Sequence, residues 1–212
     1  MYLISKLSRI GTIEKERIIL SDCDGVLINW NDGFDSFMKE QGYTPISNTD
    51  DQYNLAIRYN VEETKIDSYV REFNNNSYIE YLEPLADSVK YVKKFTKLGF
   101  RFIIITSIGN SLKAKFYRTK NLNNIFGDIF DEIHCIKIGS SKSYELSKWA
   151  GTGYFWIEDH MRHAEAGYEV GLKPILIDHP YNRHYNTDLF PRVNNTTPWK
   201  EIYDIIIKEY NL

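Results

Sequence analysis

Asp22 and Asp24 stand two residues apart in the run RIILSDCDGVL, with Gly25 directly after the second acid. Two carboxylates this close repel each other unless a cation or positive side chains compensate. A hard divalent ion such as magnesium, held by one or two carboxylates, carbonyls and water, is the natural partner. Acids followed by glycine also make ordinary Asx-turns, so the flanking residues matter. Here an apolar strand precedes Asp22 and Val26-Leu27 follows Gly25, which places both acids where the chain leaves a sheet. Ligands of open parallel sheets gather at such carboxyl ends of strands. Two other segments end in the same way. RFIIITS delivers Thr106 and Ser107, whose hydroxyls and amides suit a phosphate oxygen, although Thr-Ser after a strand also caps helices. YFWIED ends in Glu158 and Asp159, adjacent acids that a helix N-terminus also favours. His160 and His163 are spaced like a metal pair but lack a third ligand at suitable spacing, and they read as surface or substrate-facing.

The elements that carry these residues alternate β-branched runs with amphipathic stretches, which predicts an α/β fold: a doubly wound parallel sheet covered by helices. Strands are expected at Arg17 to Asp22, Arg101 to Thr106, Glu132 to Cys135, Tyr154 to Ile157 and Pro174 to Ile177. Between the first two lie almost eighty residues, too many for one crossover helix. Asp87 to Leu98 supplies that helix after Pro84, so 29–83 reads as an inserted, mostly helical second domain, with 1–28 and 84–212 as the core. Helices are also expected from Ser111, Lys142 and His160, and a last one opens at Thr197-Pro198 and carries Trp199, Ile202 and Ile206 on one face.

In order, IILSDCDGVL, RFIIITS, GSSKSYEL and YFWIED resemble the four motifs of the haloacid-dehalogenase superfamily, over the span Arg17 to Ile177. The resemblance implies that Asp22 is a nucleophile forming an aspartyl-phosphate and Asp24 its general acid and base. It implies that Thr106, Ser107 and Lys142 hold the phosphoryl group, with Lys137 and Lys148 as rival lysines. Magnesium would be the cofactor, with Asp22, Asp24, Glu158 and Asp159 as ligands: Asp159 directly and Glu158 second or through water. Members that cleave carbon–halogen bonds lack the second acid, so Asp24 points to phosphoryl chemistry. Residues 29–83 occupy the place of the family's first type of cap, where Trp30, Phe34, Phe37, Tyr43, Tyr53 and Tyr59 are candidates to face substrate or to form the cap's own core.

The tail IDHPYNRHYNTDLFPRV…PWKEI resembles the 5'(3')-deoxyribonucleotidase branch, as does DCDGVLINW, while Glu158-Asp159 departs from that branch's paired aspartates. A (deoxy)nucleoside monophosphate is therefore the leading substrate. A phosphatase of sugar phosphates or other metabolites, or a phosphomutase, is the alternative enzyme, and a catalytically silent binding protein of the same fold is the alternative outside enzymes. A receiver-like domain would carry its phosphorylated aspartate on a later strand and no large insertion after the first.

With 26 basic against 29 acidic residues and a net charge of −3, no global basic field attracts nucleic acid or anionic membrane. Cys23 and Cys135 form no framework and are expected to be free thiols. Lys6, Arg9, Gly11 and Glu14 interrupt any apolar leader and no later stretch approaches a membrane span, so a cytoplasmic location is expected.

Overall fold

The computed structural model describes residues 16–212; Lys6, Arg9, Gly11 and Glu14, on which the expectation of no leader rests, lie outside that range. Strands β1 (Ile18–Ser21), β2 (Arg101–Thr106), β3 (Phe130–Cys135), β4 (Phe155–Glu158), β5 (Lys173–Ile177) and β6 (Arg192–Val193) form one parallel sheet in the order β3-β2-β1-β4-β5-β6. The order reverses between β1 and β4, the switch point at which doubly wound sheets open a crevice for ligands. The two-residue β6 has no counterpart among the expected strands.

Period-two alternation sends successive strand residues to opposite faces. Ile19, Phe102, Ile104, Phe155, Ile157, Ile175 and Ile177 face one core, with α4 (Ser88–Lys97), α5 (Leu112–Phe126) and α8 (Pro198–Tyr210) over it. Ile18, Leu20, Ile103, Ile105 and Trp156 face the other, beneath α6 (Ser143–Ser147) and α7 (Met161–Glu169). α8 begins at Pro198 as expected, but Thr197 does not cap it with its side chain. Asp87 does so from the start of α4, accepting from the Trp199 and Lys200 amides at 3.0 Å each. The Trp199 indole N–H donates to the Val26 carbonyl at 2.8 Å, so the C-terminal helix braces the loop that follows β1. Cys23 and Cys135 are buried free thiols. Among the described residues no helix is long and apolar enough to cross a membrane.

Between β1 and α4 the chain forms α1 (Trp30–Glu40), α2 (Leu55–Tyr59), α3 (Glu63–Asn74) and a 3-10 turn (Ser77–Tyr81). It enters and leaves this segment through a short antiparallel pairing of Ile28 with Pro84, with Asn29 N–H donating to Glu83 O at 2.9 Å and Leu85 N–H to Leu27 O at 2.8 Å. Phe34 has no exposed surface and packs against Trp30, Phe37, Tyr59 and Phe73 with ring centroids 4.6–5.9 Å apart. Phe34→Ala should therefore lower stability by about 3–5 kcal/mol, measured as the shift in denaturant midpoint. An unchanged midpoint would show that the ring is not a structural anchor.

Candidate active site

β1 lies between β2 and β4, so the residues that follow these three strands emerge side by side. Ser21 is in register with Ile104 and Ile157, and the Asp22 amide donates to the Ile157 carbonyl at 2.9 Å. This brings together Asp22, Glu158 and Asp159, each offering a carboxylate oxygen within 4.8 Å of the others, all three buried. Lys142, at the N-terminus of α6, holds its ammonium over the Trp156 ring, 5.2 Å from the centroid, where it reaches Asp22 Oδ1 at 2.7 Å and Glu158 Oε2 at 2.9 Å. Of the three lysines considered from the sequence, Lys142 is the one geometry delivers. Lys148 pairs with Glu145 at 2.6 Å on the surface, and Lys137 is exposed.

Three acids facing one ammonium leave an excess of buried negative charge. Burial pushes the Asp22 carboxyl up to about 6, against the pull of Lys142 and with the push of Asp159 and Asp24. Burial and the Asp22 charge raise Glu158 as well. Lys142 itself is raised: burial disfavours its charge, but Asp22 and Glu158 together more than offset this. The upward shift of Asp22 suggests a weakly compensated acid, whereas that of Lys142 suggests a strongly held cation. The two agree because the ammonium is shared, too little charge for all the acids and much needed by each. An all-oxygen donor set of this kind fits a hard divalent cation such as magnesium. Glu158 is already engaged at both oxygens, by Lys142 and by the His160 amide at 3.1 Å, which leaves Asp22 and Asp159 as the more available donors.

Asp24, expected among the metal ligands, is not part of this carboxylate group. Its side chain is taken by Arg118 of α5, which has no exposed surface, and it accepts from Thr106 Oγ1 at 3.5 Å. Burial raises the Asp24 pKa while Arg118 opposes the rise. Arg118 is absent from the residues singled out in the sequence, although its helix position marks it. It lies four residues after Ala114 and four before Leu122, on the buried face of a helix whose other cations point outward. Among the described residues the buried side-chain polar atoms without a hydrogen-bond partner are Asp22 Oδ1, Ser107 Oγ, His160 Nδ1 and Arg118 Nε; the 2.7 Å approach of Lys142 to Asp22 Oδ1 is an ion-pair contact without hydrogen-bond alignment. Unpartnered buried polar atoms are uncommon, and Asp22, Ser107 and His160 all sit just beyond the carboxyl ends of β1, β2 and β4.

No family model matches the chain. A haloacid-dehalogenase-like hydrolase from Streptococcus pneumoniae superposes with a TM-score of 0.65 at 15% identity, covering 91% of this chain and 99% of that one. A predicted phosphatase from Clostridium acetobutylicum gives 0.65 at 14% identity with the same coverage. The chain has the haloacid-dehalogenase fold. Another structure of this fold, a putative β-phosphoglucomutase from Thermotoga maritima, superposes with a TM-score of 0.59 at 13% identity over 91% of this chain and 99% of its own. In sequence, a 32.4 kDa protein of Enterobacteria phage T4 is 28% identical over 166 residues, 74% of this chain and 59% of the phage protein. The chain thus matches about 59% of that relative's length.

In this haloacid-dehalogenase fold a cleft of about 560 Å³ opens beside Asp159, lined by Tyr53 and Asn54 from the segment after β1 and by His160, Arg162, Tyr181 and His184 from the core. Tyr53, 60% exposed, meets His160 and Tyr181 edge-on at 4.7 and 5.4 Å between ring centroids. Of the two roles open to Phe34, facing substrate or forming the cap's own core, the structure gives it the second: it is sealed in the aromatic core of the helical segment. Trp30 is half-buried in the same stack, and its indole N–H is used by Asn74 at 3.0 Å. Phe37 and Tyr59 are core as well. Of the aromatics considered from the sequence, Tyr53 lines the cleft.

Proposed function

We propose that this chain is a magnesium-dependent phosphomonoester hydrolase of the haloacid-dehalogenase superfamily that carries the phosphoryl group on Asp22 and acts on a small phosphorylated molecule, with a nucleoside monophosphate as the leading substrate. The observation that carries this reading is the convergence of the Asp22, Glu158 and Asp159 carboxylates at the switch point of the sheet, with the Lys142 ammonium on Asp22 and Glu158.

Asp22 and Asp159 would hold the cation, with Glu158 acting through water and through Lys142. When bound, the cation supplies positive charge to offset the acids and the phosphate oxygens. A carboxylate oxygen of Asp22 attacks phosphorus while the bond to the leaving oxygen breaks, and Asp24 gives that oxygen its proton. Lys142, Thr106 and the unpartnered Ser107 hydroxyl hold the equatorial oxygens, so the work is positioning and charge stabilisation. In the second half, water attacks the phosphorus of phospho-Asp22 and Asp24, now a carboxylate, takes its proton. Inorganic phosphate leaves and both acids return to their starting states.

Residues 29–83 act as a cap joined to the core through the Ile28–Pro84 pairing, with 16–28 and 84–212 of the described residues as the catalytic core. The cap brings Tyr53 to the cleft, where an aromatic wall suits a planar base. The Glu158-Asp159 pair favours the second reading, a sugar-phosphate phosphatase or phosphomutase. A panel of nucleoside monophosphates, sugar phosphates and an aryl phosphate with magnesium separates these. We expect nucleoside monophosphates to be turned over fastest. No nucleotide turnover would remove the substrate assignment, and no phosphate release from any compound would remove the hydrolase.

A further inference from the structure

The segment after β5 sits against the carboxylate cluster, and the chemistry above gives it no task. Its 3-10 turn, Pro180–Asn182, holds Asp159 at two points. Asn182 Nδ2 donates to the Asp159 main-chain carbonyl at 2.7 Å and to the Ile177 carbonyl at 2.8 Å. The Tyr181 hydroxyl donates to Asp159 Oδ2. The turn is itself pinned on both sides. His179 Nε2 contacts the Gly25 carbonyl at 2.8 Å and its ring stacks parallel on Tyr181, while Arg192 of β6 reaches Asn182 and Asp178. Gly25, at φ +74°, lies against the Asp159 carboxylate and the Tyr181 hydroxyl, and any side chain there would collide with Asp159.

We propose that Tyr181 is a positioning residue for the metal site: by donating to one oxygen of Asp159 it fixes the carboxylate and leaves the other oxygen for a divalent cation. The inference rests on the reading of Asp159 as a metal ligand given above. A carboxylate on a single-bonded stem turns readily, and turned away it binds a cation poorly. A hydrogen bond to the oxygen the cation does not use restricts that motion, which is why partners behind metal ligands affect affinity by about 10–100-fold. The two-residue strand β6 acquires a purpose in this arrangement, because Arg192 ties the turn to the edge of the sheet.

The test is magnesium binding to the full chain by calorimetry, for the wild type and for Tyr181→Phe, which removes one hydroxyl and keeps the ring contacts with His179 and Tyr53. The dissociation constant for magnesium is expected to rise about 10–100-fold. The metal-free melting temperature should move by no more than about 4 °C, the scale of one hydrogen bond in a chain of this size. An unchanged dissociation constant in a wild type that binds magnesium overturns the role of Tyr181 alone. A wild type that binds no magnesium overturns the metal reading and this inference with it.

Discussion

Replacing Asp22 by asparagine is expected to abolish phosphate release, by about a thousandfold or more, while making the metal-free protein more stable. The first effect follows because the amide lacks the nucleophilic oxygen on which the proposed chemistry depends. The second follows from the Asp22 pKa, which burial lifts from an ordinary 3.8 to about 6. Between those values the folded protein binds more protons than the unfolded chain, so wild-type stability falls as pH rises through that window. Asparagine has no charge to bury. The variant's advantage therefore grows across the window and stays constant above it, on the order of 3 kcal/mol. Thermal unfolding in chelator at several pH values measures it, and a metal-free variant no more stable than the wild type at neutral pH would contradict the electrostatic account. Adding magnesium should reverse the ranking, because the wild type then gains a bound cation that the amide holds less well.

Lys142→Met should have the opposite effect on stability. The ammonium is buried between Asp22 and Glu158, and removing it strands those acids without compensation. Breaking a buried ion pair on one side costs about 3–5 kcal/mol, which in a chain of this length lowers the melting temperature by about 6–20 °C. Phosphate release should fall by about 10²–10³-fold, the usual effect of losing one donor to developing charge. Magnesium should recover part of the stability and little of the activity. A variant that melts with the wild type would mean that Lys142 does not neutralise the cluster.

Much of this architecture can be read from the sequence, for local reasons. RFIIIT is a strand from end to end because β-branched residues buried on both faces leave no helical period, and its bounds match β2. The acids after β1 and at the end of β4 and the hydroxyls at the end of β2 can be placed because each lies within three residues of a strand end. Lys142 can be named from its motif but not separated from Lys137 and Lys148, since burial over Trp156 depends on a strand distant in sequence. Arg118 escapes notice because lysines surround it in LKAKFYRTKNL, and its partner is 94 residues away. Phe34 and Tyr53 are alike in sequence as aromatics of one inserted segment. Only packing divides them, sealing Phe34 among other rings and leaving Tyr53 in the cleft. The PYN turn is legible as part of a resembling motif, while its two-point hold on Asp159 requires the sheet to bring β4 beside β5.

The central claim, that Asp22 accepts the phosphoryl group, is tested most directly by acid-quenching a single turnover and locating the phosphoryl group by peptide mass spectrometry. The expected result is a transient phosphopeptide whose modified residue is Asp22. Phosphate released with no phosphopeptide at any time, or the group found on Asp24 or Asp159, would contradict it.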